Sequence, residues 1–200
     1  MVKENNSPKN VEQVVIESAI ELAKKGEGAL FVIGEDLKYE KLLNQEFKPF
    51  SVLNEGARKL LVGLAMIDGA IIITKEGMVV EYGVLIKNSR AFLGYGTRHA
   101  AAVTASKKGN TAILCSEEER KVKIFRDGKY IMKIDALEKG IEKKTKRIVT
   151  MLETIGAGFV GVIGVATIAP TIGIALIPGV VIFGGSYYAV KRILKLFSHK

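Results

Sequence analysis

Cysteine occurs once in the 200 residues, at Cys115. No intrachain disulfide can form, which suits a reducing compartment. Cys115 closes the apolar run Ala112-Ile113-Leu114, so it reads as an inert core thiol rather than a nucleophile. No string of the form G-x-x-x-x-G-K-[ST] is present, nor G-x-G-x-x-G, which excludes the two common glycine-rich phosphate loops. Residues 1–10 lack the apolar core of a secretory leader and are expected to be disordered. No internal repeat is found. Charge and histidine are missing altogether from Thr154 to Val190.

That gap organises the rest. Residues 139–200 hold nine Lys and Arg against Glu142 and Glu153, which is +7 of the chain's +9 and leaves +2 for the first 138 residues. The basic balance is thus a collar around an apolar segment, attractive to anionic lipid headgroups. It is not a nucleic-acid face on the folded domain, and no nucleic-acid partner is expected. As one helix the uncharged run would reach about 55 Å at ~1.5 Å per residue, well past a hydrocarbon core of about 30 Å. Pro170 offers a break. The reading is a helical hairpin, Ile155–Ala169 and Ile172–Val190, either spanning the bilayer or re-entrant because the first arm is short. Gly156, Gly158, Gly161 and Gly164, then Gly173, Gly179, Gly184 and Gly185, leave smooth surfaces for helix contact. Tyr187 and Tyr188 suit the interface. Basic flanks stay cytoplasmic, and a hairpin places both on one side. The expected location is the cell membrane with the domain on its cytoplasmic side. The bland alternative is a Gly-rich helical pair buried in a soluble oligomer.

With 48% apolar residues, the preceding part can bury a real core. Asn10 can cap a helix running to about Lys25 and stopped by Gly26 and Gly28. Ala29–Ile33 reads as a buried strand. Residues 35–54, with Pro49, read as loop with a short helix. Glu55–Met66 has helical pattern. Ile71–Thr74 and Met78–Tyr82 form a hairpin about Lys75-Glu76-Gly77. Thr97–Lys108 is an Ala-rich helix ended by Gly109-Asn110. Thr111–Cys115, Lys121–Phe125 and Tyr130–Ile134 are strands, the last two joined at Asp127-Gly128. A basic amphipathic helix runs from Ile134 to about Arg147. The fold class is α/β: a mixed central sheet flanked by helices, plus the C-terminal apolar helical hairpin. The divisions are a disordered 1–10, a domain at 11–138, a basic amphipathic linker helix at 139–153, the hairpin at 154–190 and a basic tail at 191–200.

Three strings can carry chemistry. Asp68-Gly69-Ala70 precedes the apolar strand Ile71-Ile72-Ile73, and an acid there can hold a metal or take a proton. Alone it is no more than a turn signal. Gly96-Thr97-Arg98-His99-Ala100-Ala101-Ala102 opens a helix. Gly94 and Gly96 allow close backbone approach, the helix start faces an anion, and Arg98 adds a planar charge suited to phosphate. His99 can donate to phosphate or act near neutral pH. The bland reading is a solvated helix start capped by Thr97. Cys115-Ser116-Glu117-Glu118-Glu119-Arg120 follows a strand and is by itself a solvated acidic turn, although a Ser and carboxylates there can also build metal and ribose contacts.

In this order and spacing the three strings resemble the diadenylate cyclase family, which joins two ATP molecules into cyclic di-AMP. The resemblance covers roughly Val11 to Ile134, and the ordered triple is more specific than any one piece. It implies that Asp68 binds metal and activates a ribose 3′-hydroxyl, with Gly69 and Ala70 beside the nucleotide. Gly96, Thr97, Arg98 and His99 would hold phosphate. Ser116 and Glu117 would line the phosphate and metal region, Glu117 joining Asp68 on Mg²⁺ or Mn²⁺, with Glu118 next to them. Leu85 falls where the family contacts adenine through its backbone. The catalytic set would be Asp68, Arg98 and His99, and the partner a second protomer face to face, as homodimer or higher oligomer.

One departure stands out. The family's commoner string is Arg-His-Arg, and the third place here is Ala100. Either activity is weaker, or another base such as Arg90 or Lys87 substitutes, or the site only binds. Residues 35–54 are also short for the family. A degenerate nucleotide sensor of ATP or cyclic di-AMP, and a membrane protein whose hairpin assembles a larger complex, are the competing readings.

Overall fold

The computed structural model describes residues 10–44, 46–87, 89, 96–156 and 180–182. Asn10 opens the first helix, α1 (Val11–Lys25): its side-chain oxygen accepts from the N–H of Glu12 at 2.7 Å and of Gln13 at 3.4 Å. That satisfies two of the orphan donors of a helix start. Gly26, at φ 77°, ends the helix with its N–H turned back to Leu22 and Ala23 carbonyls, a left-handed cap that suits glycine.

Among the described residues, eight further strands and three further α-helices follow the first strand, β1 (Ala29–Ile33). They are β2 (Tyr39–Lys41), β3 (Phe50–Ser51), α2 (Ala57–Ala65), β4 (Ala70–Ile73), β5 (Met78–Ile86), α3 (Thr97–Ala105), β6 (Thr111–Ser116), β7 (Lys121–Arg126), β8 (Lys129–Asp135), α4 (Thr145–Gly156) and β9 (Val180–Ile182). All nine strands join one sheet, ordered β2-β5-β4-β1-β6-β7-β8-β9, with β3 also paired to β5. The β1–β4 pairing is parallel and the others are antiparallel. This is the expected mixed α/β sheet.

Alternation along the central strands splits the core in two. Phe31, Ile71, Ile73, Ile113 and Cys115 face α1, α2 and α4 in the larger cluster. Leu30, Val32, Ile72, Ala112 and Leu114 face α3 in the smaller one. Because both faces are covered, the strands read as continuous apolar runs. Helix α1 is the hub of the larger layer, and its buried Glu17 receives hydrogen bonds from Gln13 at 2.9 Å and Thr145 at 3.2 Å.

Three expectations about the domain change. Residues 35–54 contain two short strands, β2 and β3, and no helix among the described residues. The edge of β5 opposite β4 recruits them, β2 along Val84–Ile86 and β3 along Met78–Val79. The Ala-rich helix stops at Ala105, and the buried Asn110 side chain holds that corner, donating to the Ala105 and Glu35 carbonyls and accepting from Glu35 N–H. The basic helix begins at Thr145 rather than Ile134. β8 continues to Asp135, and Gly140, at φ 71°, separates it from a 3₁₀ turn at 141–144. Ile148, Val149, Met151 and Leu152 of α4 then pack into the larger cluster.

The expected hairpin at 154–190 lies mostly outside the described residues. Where it is described, 154–156 finish α4 and 180–182 form β9 on the edge of β8. The second arm is therefore not helical there: Pro178-Gly179 precedes the β-branched run Val180-Val181-Ile182, which favours extended chain. Among the described residues no helix is long and apolar enough to cross a membrane.

Candidate nucleotide site

At one end of the smaller layer, the start of β4, the start of α3 and the end of β6 converge on a cavity of about 590 Å³. That volume suits a single small organic ligand. Its wall contains Asp68, Gly69, Ala70, Leu85, Gly96, Thr97, Arg98, His99, Ser116 and Glu117, the residues the resemblance implied for the nucleotide, while Gly94 lies outside the described residues. Parallel pairing of β1 with β4 and antiparallel pairing of β1 with β6 bring Ala70 and Cys115 to the same end of the central strand. Residues far apart in the chain meet for that reason.

Asp68-Gly69 turns the chain into β4. Gly69 sits at φ 105°, and a Cβ there would lie 2.7 Å from the Val84 nitrogen and 2.8 Å from the Gly83 carbonyl carbon. Glycine lets this turn press against β5. Asp68 projects outward with its side chain 82% exposed. The Arg98 guanidinium lies between two carboxylates, Nη2 at 3.4 Å from Asp68 Oδ1 and Nη1 at 3.9 Å from Glu117 Oε2. Gly28 makes room for it, since a Cβ at that position would stand 2.3 Å from Arg98 Nη1. At the start of α3, Gly96 is extended and no side chain caps the helix, so the Thr97 cap of the bland reading is not formed. Open space surrounds the position of a Gly96 Cβ.

His99 is half-buried and faces β7. Lys123 Nζ stands 2.9 Å from His99 Nε2. An ammonium only donates, so Nε2 accepts. Burial first, then the charge of Lys123, hold the His99 pKa below the ordinary 6.5, with Glu119 pulling the other way. Lys123 is also paired with Glu119. Sequence reasoning assigned neither to the site, although Glu119 lies within the third string. The available signal was a lysine between Val122 and Ile124 in an apolar strand, where a charge needs a partner.

Burial pushes the Cys115 thiol far above its usual range, which agrees with the reading of an inert core thiol. Leu85 needs a refinement. Leu42 N–H bonds Gly83 O and Lys87 N–H bonds Lys38 O, both at 2.9 Å. Leu85 stands opposite Glu40 between them, so ladder alternation gives its backbone groups to β2. The same alternation turns the backbone of Ile86 toward the β4 side. What Leu85 offers is an exposed side chain. Ala100 is 1% exposed and does not line the cavity. Lys87 pairs with Glu40 at 3.5 Å, also away from the cavity wall, and Arg90 lies outside the described residues.

Asp68 and Glu117 are the residues that could hold a divalent ion. Both carboxylates lie at the Arg98 guanidinium. Among the described residues no third His, Cys, Asp or Glu completes a cage. An ion of the Mg²⁺ type takes one or two carboxylates and fills its shell with phosphate and water.

Residues 16–130 match the family described as DAC: DisA bacterial checkpoint controller nucleotide-binding. The chain belongs to this family. Within it, the chain is similar to a diadenylate cyclase of Methanocaldococcus jannaschii, 32% identical over 136 residues that cover 60% of this chain and 44% of that protein. It is likewise similar to a diadenylate cyclase of Haloferax volcanii, 33% identical over 137 residues, 60% of this chain and 51% of that protein. The chain therefore spans about half the length of these curated relatives. Among solved structures it is similar to a double mutant of DacA from Staphylococcus aureus, with TM-score 0.42 and 22% identity over 60% of this chain and 83% of that one. A hypothetical membrane spanning protein from Bacillus cereus gives TM-score 0.44 and 22% identity over 62% of this chain and 64% of that one. The family match covers all three strings and begins and ends close to the span the resemblance covered.

Proposed function

We propose that the protein is a diadenylate cyclase that converts two ATP into cyclic di-AMP and two pyrophosphates. The observation that carries this is the convergence of Asp68, Arg98, His99, Ser116 and Glu117 on one cavity. In each half-reaction a ribose 3′-oxygen bonds to the α-phosphorus of the other ATP. The bond from that phosphorus to the bridging oxygen breaks, pyrophosphate leaves, and the hydroxyl proton passes to a base. Asp68 is suited to orient that hydroxyl and receive its proton. Arg98 and the uncapped start of α3 are suited to the phosphates. Neutral His99 can hydrogen-bond phosphate through its other nitrogen. Leu85 and Leu42 give the base an apolar wall. Mg²⁺ or Mn²⁺ held by Asp68 and Glu117 would neutralise phosphate charge. Such a reaction depends on positioning and electrostatics rather than a covalent nucleophile.

The cavity suits one nucleotide while the product joins two, so two protomers face to face are required, each holding one ATP. The uncharged run at 154–190 with basic flanks supports attachment to a membrane, the domain lying on the cytoplasmic side. Flotation of the full chain with anionic vesicles tests this, and protein left at the bottom of the gradient overturns it.

The deciding experiment incubates the full chain with ATP and Mn²⁺ or Mg²⁺ and looks for cyclic di-AMP by mass spectrometry, with Asp68→Asn alongside. Product from the parent and a loss of at least about 100-fold in the variant, ~2.7 kcal/mol of barrier, is the expected result. Product from both removes Asp68 from the mechanism. Bound ATP without product supports the sensor reading that Ala100 motivates.

A further inference from the structure

Lys123 is 6% exposed, in the middle of β7, yet its ammonium reaches the cavity wall. Lysine is almost never buried so deeply unless paired. Its two partners differ in kind. His99 sits on the first turn of α3, beside Arg98. Glu119 sits on the turn between β6 and β7 with its side chain 41% exposed. That carboxylate can swing into water, whereas Lys123 is held by its strand. The cavity wall carries Asp68, Glu117, Glu118 and Glu119 against two permanent cations, Arg98 and Lys123. Both cations are already taken by carboxylates. A polyphosphate can enter only if these pairs are exchanged.

We propose that Lys123 is a phosphate-binding residue of this cavity and that Glu119 is its built-in competitor, displaced when a triphosphate arrives. The proposal rests on the nucleotide-site reading and extends it to a residue outside the three strings. Exchange of one carboxylate for phosphate keeps the buried ammonium paired throughout, so the large cost of an unpaired buried charge is never met. Lys123 then serves the neighbourhood of position 99 as Arg98 serves the Asp68 side.

The test measures affinity of the full chain for ATP and for adenosine, with Mg²⁺ present, by titration calorimetry. Lys123→Met is expected to weaken ATP by about tenfold or more, the scale of one hydrogen bond to a charged group, and to leave adenosine unchanged. Lys123→Arg recovers most of the loss. Glu119→Gln is expected to tighten ATP several-fold without changing adenosine, and by more than Glu118→Gln, which removes the same charge from the same wall. A merely structural clamp would not gain affinity when broken. Equal losses for ATP and adenosine in Lys123→Met, or no gain in Glu119→Gln beyond that in Glu118→Gln, overturn the proposal. If Lys123→Met does not fold, Glu119→Gln decides, since it keeps the lysine. A parent that binds no ATP overturns the nucleotide reading and this proposal together; a parent that binds it while the variants behave alike overturns this one alone.

Discussion

Gly69 and Gly96 belong to the same cavity wall but answer to different constraints. Gly69 has a positive φ and backbone atoms under 3.0 Å from where a Cβ would go. Backbone cannot step aside as a side chain can. Gly69→Ala should cost at least ~2 kcal/mol from left-handed strain and the clash, read as a lower urea midpoint. Gly96→Ala, with open space around it, should stay within about 1 kcal/mol of the parent. His99 supplies the pH-sensitive term. Its folded pKa lies below the unfolded 6.5, so the unfolded chain binds more protons in the window between them. Stability rises with pH through that window and is lost as pH falls below 6.5. Between pH 7.5 and pH 5.5 the parent's urea midpoint should fall further than that of His99→Gln. Equal slopes would place the effect elsewhere.

At the scale of elements, the site is made where three strand or helix ends are left open. The hairpin β4–β5, the antiparallel run β6–β7–β8 and the Asn10 cap all announce themselves locally, through Gly77, Asp127-Gly128 and an Asn before an apolar-periodic segment. The outer edge of β5 does not. Whether Tyr39–Lys41 is strand or loop depends on an edge that exists only once β5 has paired with β4. The tail shows the same dependence: β9 takes its conformation from the edge of β8, while hydropathy alone reads helix. One position shows how an element end tunes the site. Gly28, just before β1, clears the path of Arg98. In Gly28→Ala the guanidinium must leave its place between Asp68 and Glu117, a movement a long side chain can make without unfolding. Stability should change by less than about 1 kcal/mol while ATP affinity falls several-fold by calorimetry. Unchanged affinity would mean that the position of Arg98 in the free protein does not matter for binding.

For the whole molecule, the proposed chemistry sets a requirement that one chain cannot meet. Each protomer offers one copy of the proposed nucleotide site, and the product needs two α-phosphates attacked from opposite directions. Specific activity should therefore fall on dilution, in proportion to protein concentration once dimers dissociate, and an activity independent of concentration would rule out catalysis across two protomers. By itself the sequence determined the class of fold, most of the strands, and the three strings that meet at the cavity. Those rest on local patterning, on turn chemistry, and on residue types whose order in the chain is itself informative. Tertiary structure alone decided that Arg98 lies between Asp68 and Glu117, that Lys123 and Glu119 belong to the wall, and that Ala100 does not. Those facts depend on which strands become neighbours, and sheet order is a long-range outcome of packing that no local window contains.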